Sequence, residues 1–389
     1  MTVNDSEKIF TKSFFLIFGA LLFTALVMYA LMSTVTEYAT TMGSTATIAG
    51  LVSGIYVFGG LCSRIYSGDA LGRIGWRKIA LVFMSIHFLA CLLYFIVDNV
   101  TLLIIVRFIH GIGFGASANA IVTVATAILP EKRFSEAFGY FMLGTTIAVG
   151  LGPFIGGFLY DSFGSAGCFT AAAVFSALAF VFMMSLDIDR YDTKQKTSDD
   201  RNYSGLQKVI EFGAVPVSFF TALTSLGYVS ILSFYRLYAV EVNLTAVFSW
   251  FFIIYSICLV LTRPLAGRIQ DNGGDKIVCV VGIVAQSIGL FLIAVMPSNV
   301  TVIICAICAA LGFGTLNSAC TAIITRNTPE HRRSYALSTF FIFCDATIGF
   351  GPALLGCFVS VSTGYAPMYL ISSVITLFAL PICLYSLRK

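Results

Sequence analysis

Polar and apolar positions in this chain separate on a long scale. Runs of about 20 residues with scarcely a charge are set apart by short breaks rich in Gly, Pro, Lys and Arg. Such a run, wound as a helix rising ~1.5 Å per residue, crosses a hydrocarbon core of ~30 Å while satisfying its own backbone. Twelve runs are read, beginning near Ser13, Thr47, Ile79, Thr101, Ala137, Gly167, Val209, Ala246, Ile277, Val300, Tyr335 and Pro367. The first follows a polar start holding Lys8 and Lys12. It is longer than a signal-peptide core and has no small-residue cleavage site behind it, so it is read as a retained helix.

One segment breaks the rhythm. From Asp187 to Lys208 the chain reads "DIDRYDTKQKTSDDRNYSGLQK", with both signs of charge and almost nothing to bury. It is expected to be a cytoplasmic linker (187–208) between an N-terminal six-helix bundle (1–186) and a C-terminal one (209–389). The two halves share a register. Arg64 and Arg263 are 199 apart, and the same 199 separates Gly68 from Gly267, Gly75 from Gly274, "GFG" at Gly113 from "GFG" at Gly312, "PE" at Pro130 from "PE" at Pro329, and "GP" at Gly152 from "GP" at Gly351. Matches without a slip make an internal repeat. Two parallel six-helix repeats with a site between them form an architecture built to rock. The expected fold class is therefore an all-α integral membrane protein with twelve transmembrane helices in two pseudo-symmetric bundles.

Composition agrees, at 58% hydrophobic and 11% charged against roughly a quarter charged in a soluble domain. With both termini placed in the cytoplasm, 21 of the 23 Lys and Arg collect on cytoplasmic ends and loops and none on outer loops. The exceptions, Arg107 and Arg236, lie within or at the end of helices. That bias is the positive-inside pattern, so the net charge of +4 reports topology and no nucleic-acid partner. The chain is expected to be a multi-pass, monomeric protein of the cell (inner) membrane, its partners lipid, a small molecule and protons.

The charged breaks carry motifs. "SRIYSGDALGRIGWRK" at Ser63 and "TRPLAGRIQDNGGDK" at Thr262 put Gly where a short loop turns and Arg or Lys where it must stay out of the bilayer. These loops resemble the signature loop of the major facilitator superfamily, and the whole chain is most similar to its twelve-helix drug:proton antiporter branch. "RFIHGIGFGA" at Arg107 resembles that branch's fourth-helix motif, with His110 where Gln is frequent, and "GLGPFIGG" at Gly150 resembles its fifth-helix motif, associated with exporters. The second loop keeps the family's acid as Asp271; in the first copy Gly72 holds that place and Asp69 is the nearest acid. The resemblance implies alternating access, with Arg64, Asp69, Arg73, Arg263 and Asp271 as cytoplasmic gating residues.

Candidate residues follow. Arg107 lies about six residues into the fourth run, ~9 Å deep, where a cation costs about 2.5 kcal/mol or more unless it is compensated. His110 shares its face, and the ordinary imidazole value of about 6.5 suits a proton carrier, although a neighbouring Arg lowers it. Asp345 is about ten residues into the eleventh run, ~15 Å deep and close to the bilayer middle. With Asn119 and Asn317 these form the expected proton-coupling or substrate cavity, which Tyr29, Tyr56, Tyr140 and Phe341 would help to line. Glu37 and Arg236, again 199 apart, are expected to pair as an outer gate. Gly152, Pro153, Gly156 and Gly157, with Gly351 and Pro352, are expected to let helices approach closely and bend.

Other chemistry is weakly represented. Cys305 and Cys308 lie inside a membrane run with no second pair or nearby His, so no metal is expected, and no glycine loop of Walker type implies ATP. No cofactor and no enzymatic activity are expected. The reading is a secondary active transporter, a proton-coupled exporter of small organic or amphipathic compounds. A proton symporter importing a nutrient would favour polar over aromatic cavity walls. A membrane sensor or enzyme would need a signalling domain or a catalytic constellation, and the sequence has neither.

Overall fold

The computed structural model describes residues 8–130, 134–190, 210–329, 332–360 and 362–387. They are helical nearly throughout; among the described residues the one extended pairing is an isolated bridge between Ser360 and Gly364. In chain order the helices are α1 (Lys12–Thr41), α2 (Ala46–Ile74), α3 (Trp76–Leu93, prolonged by a 3-10 turn Tyr94–Ile96), α4 (Val100–Ile128) and α5 (Phe134–Met184). Then come α6 (Val215–Glu241), α7 (Thr245–Asp271), α8 (Asp275–Val295), α9 (Asn299–Ala309), α10 (Thr315–Asn327), α11 (Arg333–Gly356) and α12 (Ala366–Ser386). A π-helical turn, Ala310–Gly314, joins α9 to α10.

Among the described residues eleven apolar helical segments are long enough to cross a bilayer, and the one within α5 runs for 48 residues. At ~1.5 Å per residue that exceeds twice the ~30 Å of hydrocarbon. Gly164 resolves the excess. Its φ of 67° and ψ of −165° interrupt the helix in a conformation open to glycine, so α5 makes two crossings fused end to end. With α9, the π turn and α10 forming one span, the described helices make the twelve crossings expected from hydropathy.

Internal contacts divide the chain into two compact units, Met1–Tyr38 with Ile55–Ser198, and Ala39–Gly54 with Asp199–Lys389. In the first, glycines set the packing. A Cβ on Gly111 would run into Tyr56 O, one on Gly115 into Gly60 O, and one on Gly59 into Phe108 O, so α2 and α4 touch backbone to backbone. Gly113, on another face of α4, lies against α3, where a Cβ would come 2.6 Å from His87 N. Gly152 and Gly156 of α5 sit in the same way on Tyr29 and Ala30 of α1. Trp76, Ile79 and Met84 of α3, Ile121 and Val124 of α4, and Phe14 and Ile17 of α1 close the apolar core of this unit.

In the second unit, Phe220, Ile283, Leu316, Ile323 and Phe340 are buried together. The start of α2 belongs to this unit and lies between α6 and α11. Ser53 Oγ is 3.2 Å from Ser233 Oγ, a Cβ on Gly54 would enter Gly349 O, and one on Gly356 would lie 2.6 Å from Ala46 O.

Ion pairs hold the helix ends. Asp275 pairs with Arg326, and Arg77 with Asp189 at 2.9 Å. Arg332 Nε donates to Glu211 Oε2 at 2.7 Å, and its guanidinium lies 4.4 Å from the Tyr335 ring centre. Exposure ranks them: the side chains of Arg332 and Glu211 are 6% and 23% exposed, those of Arg77 and Asp189 50% and 62%. Arg332→Ala is therefore expected to cost about 1.5–3 kcal/mol in thermal unfolding of the purified protein in lipid. Arg77→Ala should cost under about 1 kcal/mol. Equal losses would show that burial does not decide the value of these pairs.

Candidate functional site

The glycine packing of α4 determines what surrounds its polar residues. With Gly111 and Gly115 against α2 and Gly113 against α3, the preceding turn carries Arg107 and His110 into the space between those helices, and both are fully buried. The Arg107 guanidinium lies 4.4 Å from the centre of the Tyr56 ring, a cation–π contact, and Arg107 Nη1 donates to Tyr94 Oη at 3.5 Å. Tyr94 Oη also lies 2.9 Å from His110 Nδ1. The Tyr94 oxygen thus accepts from Arg107 and faces His110 Nδ1, and His110 Nε2 lies 3.5 Å from Cys91 Sγ. The His87 ring lies 4.6 Å from that of His110 and is wholly buried, with neither nitrogen hydrogen-bonded.

The sequence placed Arg107 and His110 on one face, and the structure brings them together through Tyr94. It adds His87, Tyr94 and Cys91, which the sequence reading passed over. A signal for His87 was available: the chain holds 3 His, and this one stands in the middle of an apolar run. Asn119 is half-buried on α4. Its Nδ2 donates to Arg64 O at 3.2 Å and to Ser67 Oγ at 2.9 Å, fastening α4 to α2. The Arg64 guanidinium lies 5.9 Å from the Phe114 ring centre. The side chains of Asp69, Arg73 and Asp271 lie outside what the structure describes. In the second loop the described carboxylate is Asp275, which pairs with Arg326 and accepts from Gln270 Nε2 at 3.0 Å.

In the second unit Asp345 stands midway along α11, half-buried. Helical spacing puts it on one stripe with Gly349, Pro352 and Gly356, the residues that meet the start of α2. Another face of α11 forms a groove of about 440 Å³ with α6, lined by Phe219, Leu223, Leu226, Phe343, Phe350 and Leu354. Gly351 opens onto this groove and packs on Leu226 and Val229. Asn317 on α10 and Arg263 on α7 are half-buried. Glu37 and Arg236, near the ends of α1 and α6, are half-buried and fall in different units. Gly152, Pro153, Gly156 and Gly157 are buried along α5. Among the described residues no cluster of three or more His, Cys, Asp or Glu is placed to hold a metal ion, and Cys305 and Cys308 are free thiols.

The sequence profile of the Major Facilitator Superfamily matches residues 17–248 and 217–389. The chain belongs to the major facilitator superfamily. This major facilitator protein is 26% identical over 358 residues to an uncharacterised MFS-type transporter of Methanocaldococcus jannaschii, covering 87% of this chain and 89% of the relative. It is 24% identical over 349 residues to the multidrug resistance protein MdtG of Klebsiella pneumoniae, covering 88% and 84%. Its fold matches that of a peptide transporter POT solved in complex with alafosfalin, with a TM-score of 0.80 at 14% identity, covering 99% and 98% of the two chains. The protein is thus a multi-pass membrane transporter whose twelve helices form the two pseudo-symmetric bundles of this superfamily.

Proposed function

We propose that this transporter is a proton-coupled exporter of small amphipathic or organic compounds. It works as a monomer in the cell membrane with both termini in the cytoplasm, and the moving bodies are the repeat halves, 1–186 and 209–389. The observation that carries this reading is the α6–α11 groove, about 440 Å³ of phenylalanine and leucine on the helix that also bears Asp345. A groove of that size and character suits a drug-sized apolar body, and a carboxyl at the middle of a membrane span, on a neighbouring face of the same helix, suits a proton. The likeness to MdtG, a multidrug resistance protein, supports export.

In this reading a proton on Asp345 favours one conformation and a substrate favours the other, which is the differential binding that exchange requires. Arg107 and His110, joined through Tyr94, supply a second polar centre in the other unit. In the same reading Asn317 belongs to the cavity, Arg263 to the cytoplasmic gate and Glu37 and Arg236 to the outer gate, while Asn119 fastens α4 to α2.

The test uses sealed proteoliposomes that hold a pH-sensitive dye. Adding ethidium is expected to drive proton movement opposite to the compound, and Asp345→Asn is expected to reduce that movement at least tenfold while leaving the fold intact. Proton movement in the same direction as the probe would replace export by symport. Wild-type flux in Asp345→Asn would remove Asp345 from the coupling.

A further inference from the structure

His87 and Gln286 are 199 residues apart and so share one position of the internal repeat. Each is buried against the first glycine of a "GFG" run. A Cβ on Gly113 would lie 2.6 Å from His87 N, and one on Gly312 would lie 2.5 Å from Gln286 Cβ. The rings around them keep the register but not the contacts: Tyr56 is 5.1 Å from Phe114, while Tyr255, the partner of Tyr56 in register, and Phe313 each lie against Tyr228, at 5.7 and 4.5 Å.

Yet the two identical runs have different backbones. In the second half the run lies in the π turn, and Gly312 departs from helical geometry with ψ −117°. The side chain of Gln286 holds that turn open. Phe313 N–H donates to Gln286 Oε1 at 2.6 Å, Gln286 Nε2 donates to Thr224 O at 2.8 Å, and the Thr315 hydroxyl donates to Ala310 O at 2.8 Å. In the first half α4 runs unbroken through Gly113–Gly115, Ala116 stands where Thr315 stands, and the group in the place of Gln286 is an imidazole with neither nitrogen hydrogen-bonded. A wholly buried polar ring with two idle nitrogens is a cost that native interiors avoid.

We propose that His87 is a proton-controlled acceptor for the backbone of α4. Neutral imidazole has one nitrogen with a free lone pair, which takes the Phe114 N–H when α4 opens into a π turn like that of the second half. Imidazolium has N–H on both nitrogens and no lone pair, so a proton on His87 forbids that bond and holds α4 straight. Only the neutral ring allows both backbones. π turns inside helices are frequent at functional sites, and one opening here would shift Arg107 and His110, which precede the run on α4.

The groups facing His87 are those of the buried cluster. His110 of α4 lies 4.6 Å away ring to ring, with Arg107 beyond it; α3 and its closing turn supply Cys91 and Tyr94, α2 supplies Tyr56, and Phe114 lies 6.3 Å away. From α5, Phe169 stacks on Tyr94 at 5.0 Å.

The consequence for transport rests on the proton-coupled reading above, but the backbone switch does not, so it is tested without substrate or gradient. Hydrogen–deuterium exchange of the protein in lipid nanodiscs is followed at about pH 5 and about pH 8, on either side of the free imidazole value. After correction for intrinsic rates, α4 peptides covering Gly111–Ala116 are expected to exchange at least fivefold faster at the higher pH, while peptides covering Ala310–Gly314 do not change. His87→Gln, which copies the second half, should exchange fast at both pH values. His87→Leu, with no acceptor, should exchange slowly at both. A wild-type α4 with the same corrected rate at both pH values would overturn the proposal by itself, as would a pH dependence that survives in either variant.

Discussion

Replacing Gly54 by valine is expected to slow transport about 5- to 150-fold while leaving binding and folding in place. In the second unit Gly54 lies where a Cβ would enter Gly349 O, with the Gly349 Cα 3.3 Å away, so any side chain forces α2 away from α11. The obstacle is backbone, which cannot rotate aside as a side chain does. Overpacking of this kind costs roughly 1–3 kcal/mol, which displaces the packed arrangement about 5- to 150-fold. If alternating access includes a step in which the start of α2 is seated between α6 and α11, turnover falls by that factor. Ethidium efflux from proteoliposomes reads the turnover, and ethidium fluorescence on the purified protein reads the binding. Gly43, whose Cβ would meet nothing within 4 Å, supplies the control, although its φ of 81° limits the choice to Asn. Efflux by Gly54→Val at the wild-type rate would show that the cycle does not use this packing.

The second large effect is expected at Arg107, where stability and activity should part. A fully buried arginine at this depth of a membrane helix costs about 2.5–3.5 kcal/mol before its contacts are counted. Arg107→Met fills much of the same volume without the charge, so the melting temperature should hold or rise. Proton-coupled ethidium flux should fall at least tenfold, because Tyr94, which joins Arg107 to His110, loses its charged donor. Arg107→Lys should rescue little of it, since an ammonium presents a point charge to the Tyr56 ring where the guanidinium presents a plane. A melting temperature that collapses together with the flux would make Arg107 a structural residue.

Much of this was legible in the chain. The crossings follow from hydropathy because each helix satisfies its backbone locally, whatever its neighbours are. Arg107 and Asp345 stood out because ionisable groups are expensive in hydrocarbon, a property of the residue and its depth alone. Other features were less open to such reasoning. Asn119 reads as a cavity residue by its polarity, yet it spends its amide on Arg64 O and Ser67 Oγ, partners 55 and 52 residues away that only the α2–α4 packing supplies. The break between the runs begun at Ala137 and Gly167 is marked by "YDSFGSAG" at Tyr160, but that a single positive φ at Gly164 makes it, within an otherwise continuous helix, is not announced by composition.

The 199-residue register shows best where sequence stops and tertiary structure begins. By itself the chain determined that the halves repeat, that both carry "GFG", and that His87 and Gln286 stand in register, since these are matters of residue identity and spacing. It did not determine that one "GFG" would lie in a straight helix and the other in a π turn. Three identical residues have identical local preferences. The outcome was decided by the side chain packed against them: an amide able to accept the Phe313 N–H and donate to Thr224 O in one half, and in the other an imidazole that bonds to neither.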